Sequence, residues 1–189
     1  MSDKRFDPKK AASLFRDERK EMLPPEKIIN HLQINTHDNV ADLGAGNGYF
    51  AIPIAKRTKG KVYAVDVEPK MLAMLQENAT KEGVDNIAYV ESNLDYIQLA
   101  DNAVNKIIIA FVMHEVPDVN QTLSEIKRIL EPDGHMLILD WEAVETESGP
   151  PIHHRISSIE MKKILEQNGF TAVFIDINPE NYGVLAVPK

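Results

Sequence analysis

Residues 40–50 read Val40-Ala41-Asp42-Leu43-Gly44-Ala45-Gly46-Asn47-Gly48-Tyr49-Phe50. A short apolar run with one aspartate is followed by three glycines at alternate positions. Glycine reaches positive φ and has no Cβ, so a ligand can approach the backbone closely. A helix starting just beyond would direct its free N–H groups at the same point. The stretch therefore predicts a buried strand, a ligand-binding turn and the start of a helix.

The spacing of the glycines separates two classes of ligand loop. A dinucleotide-binding loop reads G-x-G-x-x-G, with its third glycine three residues after the second. Here Gly48 follows Gly46 by two residues, and Tyr49 occupies the position where a dinucleotide-binding loop has its third glycine. Asp42 would repel a pyrophosphate and suits a cationic amino group. The spacing therefore disfavours NAD, while a glycine-rich turn without any ligand remains the alternative.

Apolar runs alternate with helical patterns from residue 40 onward. Strands are predicted over Val40–Leu43, Val62–Val65, Ile87–Val90, Lys106–Met113, His135–Leu139, Phe170–Ile177 and Tyr182–Val187. Helices are predicted over Tyr49–Arg57 and Pro69–Glu82, and from caps at Asp118 and Ser157. This order predicts one α/β domain with a mostly parallel sheet, helices on both faces and a terminal antiparallel hairpin.

The N-terminal residues 1–37 are predicted to form a helical cap ahead of an α/β core at 38–189. A first helix is expected over residues 8–21, where apolar residues recur at helical spacing. With Phe6 and Phe15, this segment is a candidate lid over the ligand site. A helix packed permanently on the sheet is equally consistent with the pattern.

Composition excludes several classes of function. The 189 residues carry a formal net charge of −8, which argues against strong nucleic-acid binding. The chain has no cysteine, so disulfides, thiolate catalysis and cysteine-ligated metal sites are excluded. No run approaches the roughly twenty apolar residues of a membrane span, and the charged N-terminus lacks the apolar core of a secretory signal. These features predict a cytoplasmic protein.

The glycine loop resembles motif I of the class I S-adenosylmethionine (SAM) methyltransferases, and the likeness covers about residues 40–187. Asp66 ends the second predicted strand, 24 positions after Asp42, and matches the acidic residue that binds the ribose hydroxyls of SAM. A carboxylate can accept hydrogen bonds from both hydroxyls of a cis-diol. Within the superfamily, the chain is similar to the small-molecule branch related to ubiquinone/menaquinone-biosynthesis C-methyltransferases. The resemblance implies a Rossmann-like, seven-stranded sheet, SAM as methyl donor and S-adenosylhomocysteine as product.

The resemblance also implies which residues bind the cofactor. They are Asp42, Gly44, Ala45, Gly46, Gly48, Asp66, Val67, Met71, Asn93, Leu94 and Phe111. Asn93 replaces an aspartate that commonly accepts from the adenine amino group, and its side-chain carbonyl keeps that ability. A turn role for Asn93 and a core role for Met71 are the structural alternatives.

The acceptor side of the site is expected after the fourth and fifth strands, where open α/β sheets bind ligands. The candidate substrate-binding residues are His114, Glu115, Trp141, His154 and Arg155. His114 is the one candidate for proton transfer, because histidine titrates near neutrality. A structural role is the alternative for His114, Trp141 and Arg155. The adjacent pair His153-His154 lacks the two-histidine spacing of a metal site, so no metal is predicted.

The residues and the resemblance together predict a SAM-dependent methyltransferase that acts on a small molecule as a monomer or weak homodimer. The acceptor atom, whether carbon, oxygen or nitrogen, stays open. A catalytically inactive SAM-binding regulatory protein is the first alternative. An NAD-dependent enzyme is disfavoured by the glycine spacing. An RNA or protein methyltransferase is disfavoured by the acidic charge and by the lack of an Asn/Asp-Pro-Pro-aromatic motif.

Overall fold

The computed structural model describes residues 21–189, so the helix predicted over residues 8–21 lies outside the described part except for its last residue, and the lid residues Phe6 and Phe15 lie outside it entirely. The α-helices are α1 Pro25–Ile29, α2 Ala51–Ala55, α3 Pro69–Lys81, α4 Val119–Ile129 and α5 Ser158–Gln167. Two 3-10 turns cover Asn30–Leu32 and Ile152–His154. The strands are β1 Val40–Leu43, β2 Val62–Asp66, β3 Ile87–Glu91, β4 Val104–Ala110, β5 Leu130–Trp141, β6 Phe170–Asn178 and β7 Asn181–Pro188.

The seven strands form one sheet in the order β3-β2-β1-β4-β5-β7-β6. The first five strands of that order run parallel to one another, and β7 is antiparallel to both β5 and β6. The chain moves outward from β1 to β3 and then returns to β4 on the other side of β1. The strand order therefore reverses between β1 and β4, which places the switch point of the sheet at their carboxyl ends. The predicted seven-stranded mixed sheet is confirmed.

The central strands are buried on both faces of the sheet. Leu43 and Ile109 pack with α4 and α5 on one face, and Val40 and Ile108 pack with α1, α2 and α3 on the other. This two-sided burial explains why residues 107–109 form an unbroken isoleucine run rather than an alternating pattern.

The local start signals of two helices act as predicted. The Asp118 carboxylate accepts from the amides of Asn120 and Gln121, and the Ser157 hydroxyl oxygen accepts from the amide of Glu160. Each side chain thus satisfies N–H groups that the first helical turn leaves without a partner. Three predicted elements had wrong boundaries. The helix predicted over Tyr49–Arg57 spans only Ala51–Ala55, and β5 begins at Leu130 rather than after the Pro132–Gly134 turn. The strand predicted over Lys106–Met113 is β4, which spans Val104–Ala110.

Candidate functional site

The glycine loop leaves β1 at the switch point of the sheet. Gly44, Gly46 and Gly48 all have positive φ, at 77°, 54° and 98°. The amides of Gly44 and Ala45 both donate to the Val65 carbonyl, at 2.8 and 3.0 Å. The loop therefore turns sharply, as the glycine pattern predicts, and its first two amides are hydrogen-bonded to the end of β2.

Gly44 has a steric role in addition to its backbone conformation. A Cβ at Gly44 would lie 2.3 Å from Cγ2 of Val112, closer than any tolerable contact. Val112 follows Phe111, a non-glycine residue in the left-handed region with φ 62°. Such a conformation is strained for a bulky residue and persists only when its surroundings enforce it. The turn after β4 thus packs directly against the glycine loop.

We expect the Gly44→Ala variant to lose about 1–3 kcal/mol of unfolding free energy, because it combines a clash with an unfavourable φ. The loop would also shift, so calorimetry should show weakened SAM binding. Gly83→Ala is the matched control, since Gly83 has φ +67° but a Cβ added there would meet no atom within 4 Å. Thermal denaturation of both variants checks the expectation. Wild-type affinity in Gly44→Ala would contradict the steric role.

Asp42 lies beneath the loop as a buried carboxyl group. Asp42 is 2% exposed, and its Oδ2 has no hydrogen-bond partner among the described residues. Burial, and secondarily the charge of Asp66, raises the pKa of Asp42 to about 7, against an opposing hydrogen bond from the Ala51 amide. A buried oxygen without a partner costs free energy unless a ligand supplies one. The position therefore suits a cationic hydrogen-bond donor.

Asp66 ends β2 beside the same loop. Its Oδ2 accepts from the Gly46 amide at 2.8 Å, and its Oδ1 accepts from the Glu68 amide at 2.9 Å. Burial raises the pKa of Asp66, while these backbone hydrogen bonds act in the opposite direction. Each carboxylate oxygen can accept a further hydrogen bond. The carboxylate is therefore fixed in orientation and keeps acceptor capacity for a pair of hydroxyls.

The other cofactor-side candidates divide into packed and exposed residues. Ala45, Met71 and Leu94 are buried, and Leu94 belongs to the core beside α4. Val67 is 46% exposed, directly beyond Asp66. The Asn93 side-chain oxygen accepts from the Tyr96 amide at 2.9 Å, so Asn93 holds the turn after β3. An adenine contact for Asn93 stays a prediction.

His114 and Asp140 form a buried pair on the acceptor side. Nδ1 of His114 lies 2.7 Å from Oδ1 of Asp140, and the His114 amide donates to Oδ2 at 3.2 Å. The Trp141 amide also donates to Oδ1, at 2.8 Å. The turn after β4 is thereby fastened to the end of β5. Glu115 lies on the other side of the ring, with its Oε1 3.7 Å from Nε2 of His114.

Trp141 lies between an aromatic ring and a cation. Its ring centroid is 5.6 Å from that of Phe111, and the Arg155 guanidinium lies 5.1 Å from the Trp141 ring. A Cβ at Gly149 would approach the indole to 2.9 Å, so the loop crosses closely over it. Phe111 and Trp141 are therefore in contact with each other at the carboxyl ends of β4 and β5.

Arg155 binds the loop that follows β5. Its guanidinium N–H groups donate to the oxygens of Pro150, Glu142, Val144, Thr146 and Ser148. Five bonds occupy all five donors of an arginine. In this conformation the group has no donor left for a substrate, so the geometry supports the structural alternative. His154 lies on the 3-10 turn before Arg155, with its ring centroid 4.4 Å from that of His153.

Sequence reasoning did not single out Asp140 or Tyr182 as site residues. Asp140 is 1% exposed, and Tyr182 is its cross-strand neighbour in β7. Burial, then the charges of Asp140, Glu142 and Glu160, raises the pKa of Tyr182. A charged residue closing the apolar run Met136–Leu139 is a signal that could have identified Asp140. Its partner, 26 residues away in the chain, could not have been identified from spacing.

Two further kinds of site are absent from the described residues. Within residues 21–189, no group of three or more histidine, aspartate or glutamate side chains is placed to hold a metal ion. No helix in that range is long and apolar enough to cross a membrane.

The strand order, the glycine loop at the switch point and the acidic residues on β1 and at the end of β2 together define a class I SAM-dependent methyltransferase fold. Comparison with known proteins agrees. Residues 34–177 match the family described as Methyltransferase domain. The chain therefore belongs to this methyltransferase family, whose cofactor is SAM.

Individual relatives belong to the branch of ubiquinone/menaquinone-biosynthesis C-methyltransferases. The chain is 30% identical over 156 residues to the ubiquinone/menaquinone biosynthesis C-methyltransferase UbiE of Francisella tularensis, covering 81% of this chain and 60% of that protein. It is 35% identical over 103 residues to UbiE of Brucella abortus, covering 54% of this chain and 38% of that protein. The chain thus spans about three fifths or less of these relatives. A crystal structure of a SAM-dependent methyltransferase from Aquifex aeolicus superposes with a TM-score of 0.90 at 33% identity, covering 96% of this chain and 98% of that one.

Proposed function

We propose that this chain transfers the methyl group of SAM to a small-molecule acceptor held beyond the ends of β4 and β5. The observation that carries the proposal is the buried Asp42 carboxyl under a loop of three positive-φ glycines, with one oxygen lacking a partner among the described residues. SAM has an ammonium group that such an oxygen can accept from. The pyrophosphate of NAD would instead meet a negative charge at that point.

Two groups of residues would bind the two ends of the cofactor. The glycine loop and Asp42 receive the methionine end, and the Asp66 carboxylate, oriented by Gly46 and Glu68, accepts from the ribose hydroxyls. SAM supplies a methyl group already activated by its sulfonium. The chain therefore has to orient the acceptor and exclude water from the site.

The acceptor side contains two aromatic rings. The centroids of Phe111 and Trp141 are 5.6 Å apart, and an aromatic acceptor would pack beside these rings in an offset or edge-on arrangement. The names of the UbiE relatives concern C-methylation in quinone biosynthesis. Both observations support an aromatic acceptor, with carbon or oxygen as the methylated atom.

A labelled-methyl screen tests the proposal. Purified protein would be incubated with SAM carrying a labelled methyl group and a small-molecule extract of cells, and labelled products separated by chromatography. We expect labelled small molecules with wild-type protein and far less label with Asp66→Ala at a SAM concentration near the wild-type Kd. SAM binding measured by calorimetry without any labelled product would favour the catalytically inactive SAM-binding protein instead.

Further predictions concern the protein as a whole. We propose a cytoplasmic enzyme that acts as a monomer or weak homodimer and does not bind nucleic acid, in keeping with its net charge of −8. Sedimentation velocity over a range of concentrations would measure the oligomeric state.

A further inference from the structure

A cavity of about 420 Å³ lies beyond the end of β5, between the β6–β7 hairpin and the first turn of α5. Its walls include Glu142, Ser158, Phe174, Asp176, Asn181 and Tyr182. None of the residues assigned above to SAM lines it. Its volume is in the range of small-molecule sites. The cavity is therefore separate from the cofactor loop and large enough to hold a ligand of its own.

Two buried hydrogen-bond donors at the start of β7 belong to residues in the walls of this cavity. Asn181 is 3% exposed and Tyr182 is 6% exposed. Nδ2 of Asn181 and the hydroxyl of Tyr182 have no hydrogen-bond partner among the described residues. A buried donor without a partner costs free energy, which a ligand recovers if it supplies an acceptor oxygen. The two donors therefore indicate where the oxygens of a ligand would bind.

The backbone that carries the two donors is fixed on both sides. Oδ1 of Asn178 accepts from the Asn181 amide at 3.0 Å and thereby closes the turn of the hairpin. In the ladder between β5 and β7, Asn181 is paired with Trp141 and Tyr182 with Asp140. The donors are therefore presented by a regular part of the sheet, as a binding site requires.

The charges around the cavity disfavour an anionic ligand. Glu142 and Asp176 contribute carboxylates to the walls, and no lysine, arginine or histidine is among the described residues that line them. The Lys162 ammonium lies 5.1 Å from the centroid of the Phe174 ring but does not line the cavity. Burial and the nearby carboxylates raise the pKa of Tyr182, so its hydroxyl stays a donor at neutral pH. A carboxylate or phosphate group would be repelled here.

A hydroxyl group matches both kinds of partner in these walls. It accepts from donors such as those of Asn181 and Tyr182, and it donates to carboxylates such as those of Glu142 and Asp176. We infer that the cavity is a second small-molecule site, and that it binds a neutral ligand with two or more hydroxyl groups, a diol or polyol. The carbon skeleton of such a ligand would pack on the partly exposed ring of Phe174. This site does not depend on the proposed methyl transfer.

Titration with two cyclohexane probes tests the chemistry of this site. The probes are cis-1,2-cyclohexanediol and cyclohexanecarboxylate, and NMR of ring-labelled tyrosine reports binding at each of the five tyrosines, with Tyr182→Phe assigning the Tyr182 signal. We expect the diol to shift that signal saturably and the carboxylate to bind about 10-fold more weakly or less. Tyr96, an exposed residue outside the cavity, should show no shift. The absence of a saturable shift with the diol, or an equal affinity for the carboxylate, would overturn the inference.

Unfolding of the ligand-free protein tests the Tyr182 donor without any probe. Because Tyr182→Phe removes an unpaired buried hydroxyl, it should raise the folding equilibrium constant about fivefold. The same variant should bind the diol about fivefold more weakly, since one hydrogen bond to the ligand is lost. Tyr96→Phe is the matched control and should change neither quantity. Lower stability in Tyr182→Phe would show that the hydroxyl is paired in the ligand-free protein, and unchanged affinity for the diol would show that it does not contact the ligand; either result would overturn the inference.

Discussion

Replacing Asp66 with alanine is expected to weaken SAM binding about 100-fold, corresponding to about 3 kcal/mol. The change removes a charged acceptor for the two ribose hydroxyls. It also releases the Gly46 and Glu68 amides that the carboxylate now holds at 2.8 and 2.9 Å. Isothermal titration calorimetry with SAM measures the loss directly.

Glu91→Ala is the matched control for Asp66→Ala. Glu91 ends β3 and is the cross-strand neighbour of Asp66, so it tests whether any acidic residue at this edge has the same effect. We expect wild-type affinity in Glu91→Ala. Equal affinities in Asp66→Ala and wild-type protein would refute the assigned role of Asp66.

The Asp42→Asn variant is expected to be more stable than the wild type and to bind SAM more weakly. The folded-state pKa of Asp42 is raised from 3.8 to about 7. The protonated carboxyl is therefore favoured in the folded protein. Its contribution to stability is fully present below the unfolded-state pKa of 3.8 and is lost as pH rises through the folded-state pKa of about 7. An uncharged amide avoids that loss. Between pH 5 and pH 8, we expect the stability advantage of the variant to grow by about 2.5 kcal/mol.

Denaturant unfolding at the two pH values measures this difference. A stability advantage that does not change with pH would contradict the pKa assignment. A deficit at pH 8 would mean that the charge of Asp42 stabilises the ligand-free fold. Both measurements use the ligand-free protein, so they do not require the methyl acceptor to be known.

The same carboxyl predicts how SAM binding depends on pH. A cationic ligand binds the ionised form, so wild-type affinity should rise as pH passes upward through about 7 and binding near neutrality should release a proton. Calorimetry in two buffers of different ionisation enthalpy measures that proton. Asp42→Asn should show no such release, and an equal release in both proteins would contradict the role of Asp42.

Much of the fold was predictable because its signals are local. The β1–loop sequence, the caps at Asp118 and Ser157, and Asp66 at the end of β2 each depend on neighbours within a few residues. The length of β5 was not predictable in this way. Its first residue, Leu130, pairs with Val104 across an irregularity in the register, and that pairing extends the strand through Pro132 and Gly134.

The site was predictable only in part, for the same physical reason. Glycine spacing identifies a cofactor loop, because the loop is continuous in sequence. The pair of His114 and Asp140 depends instead on the parallel pairing of β4 and β5. The role of Arg155 depends on carbonyls presented by a folded loop, which no residue pattern shows. Contacts between distant segments need the structure.

The most direct test of the central claim is a calorimetric comparison of SAM, S-adenosylhomocysteine and NAD on the wild-type protein. The geometry of Asp42, Asp66 and the glycine loop predicts one site that binds SAM and S-adenosylhomocysteine and does not bind NAD. Tight binding of NAD without binding of SAM would contradict that claim.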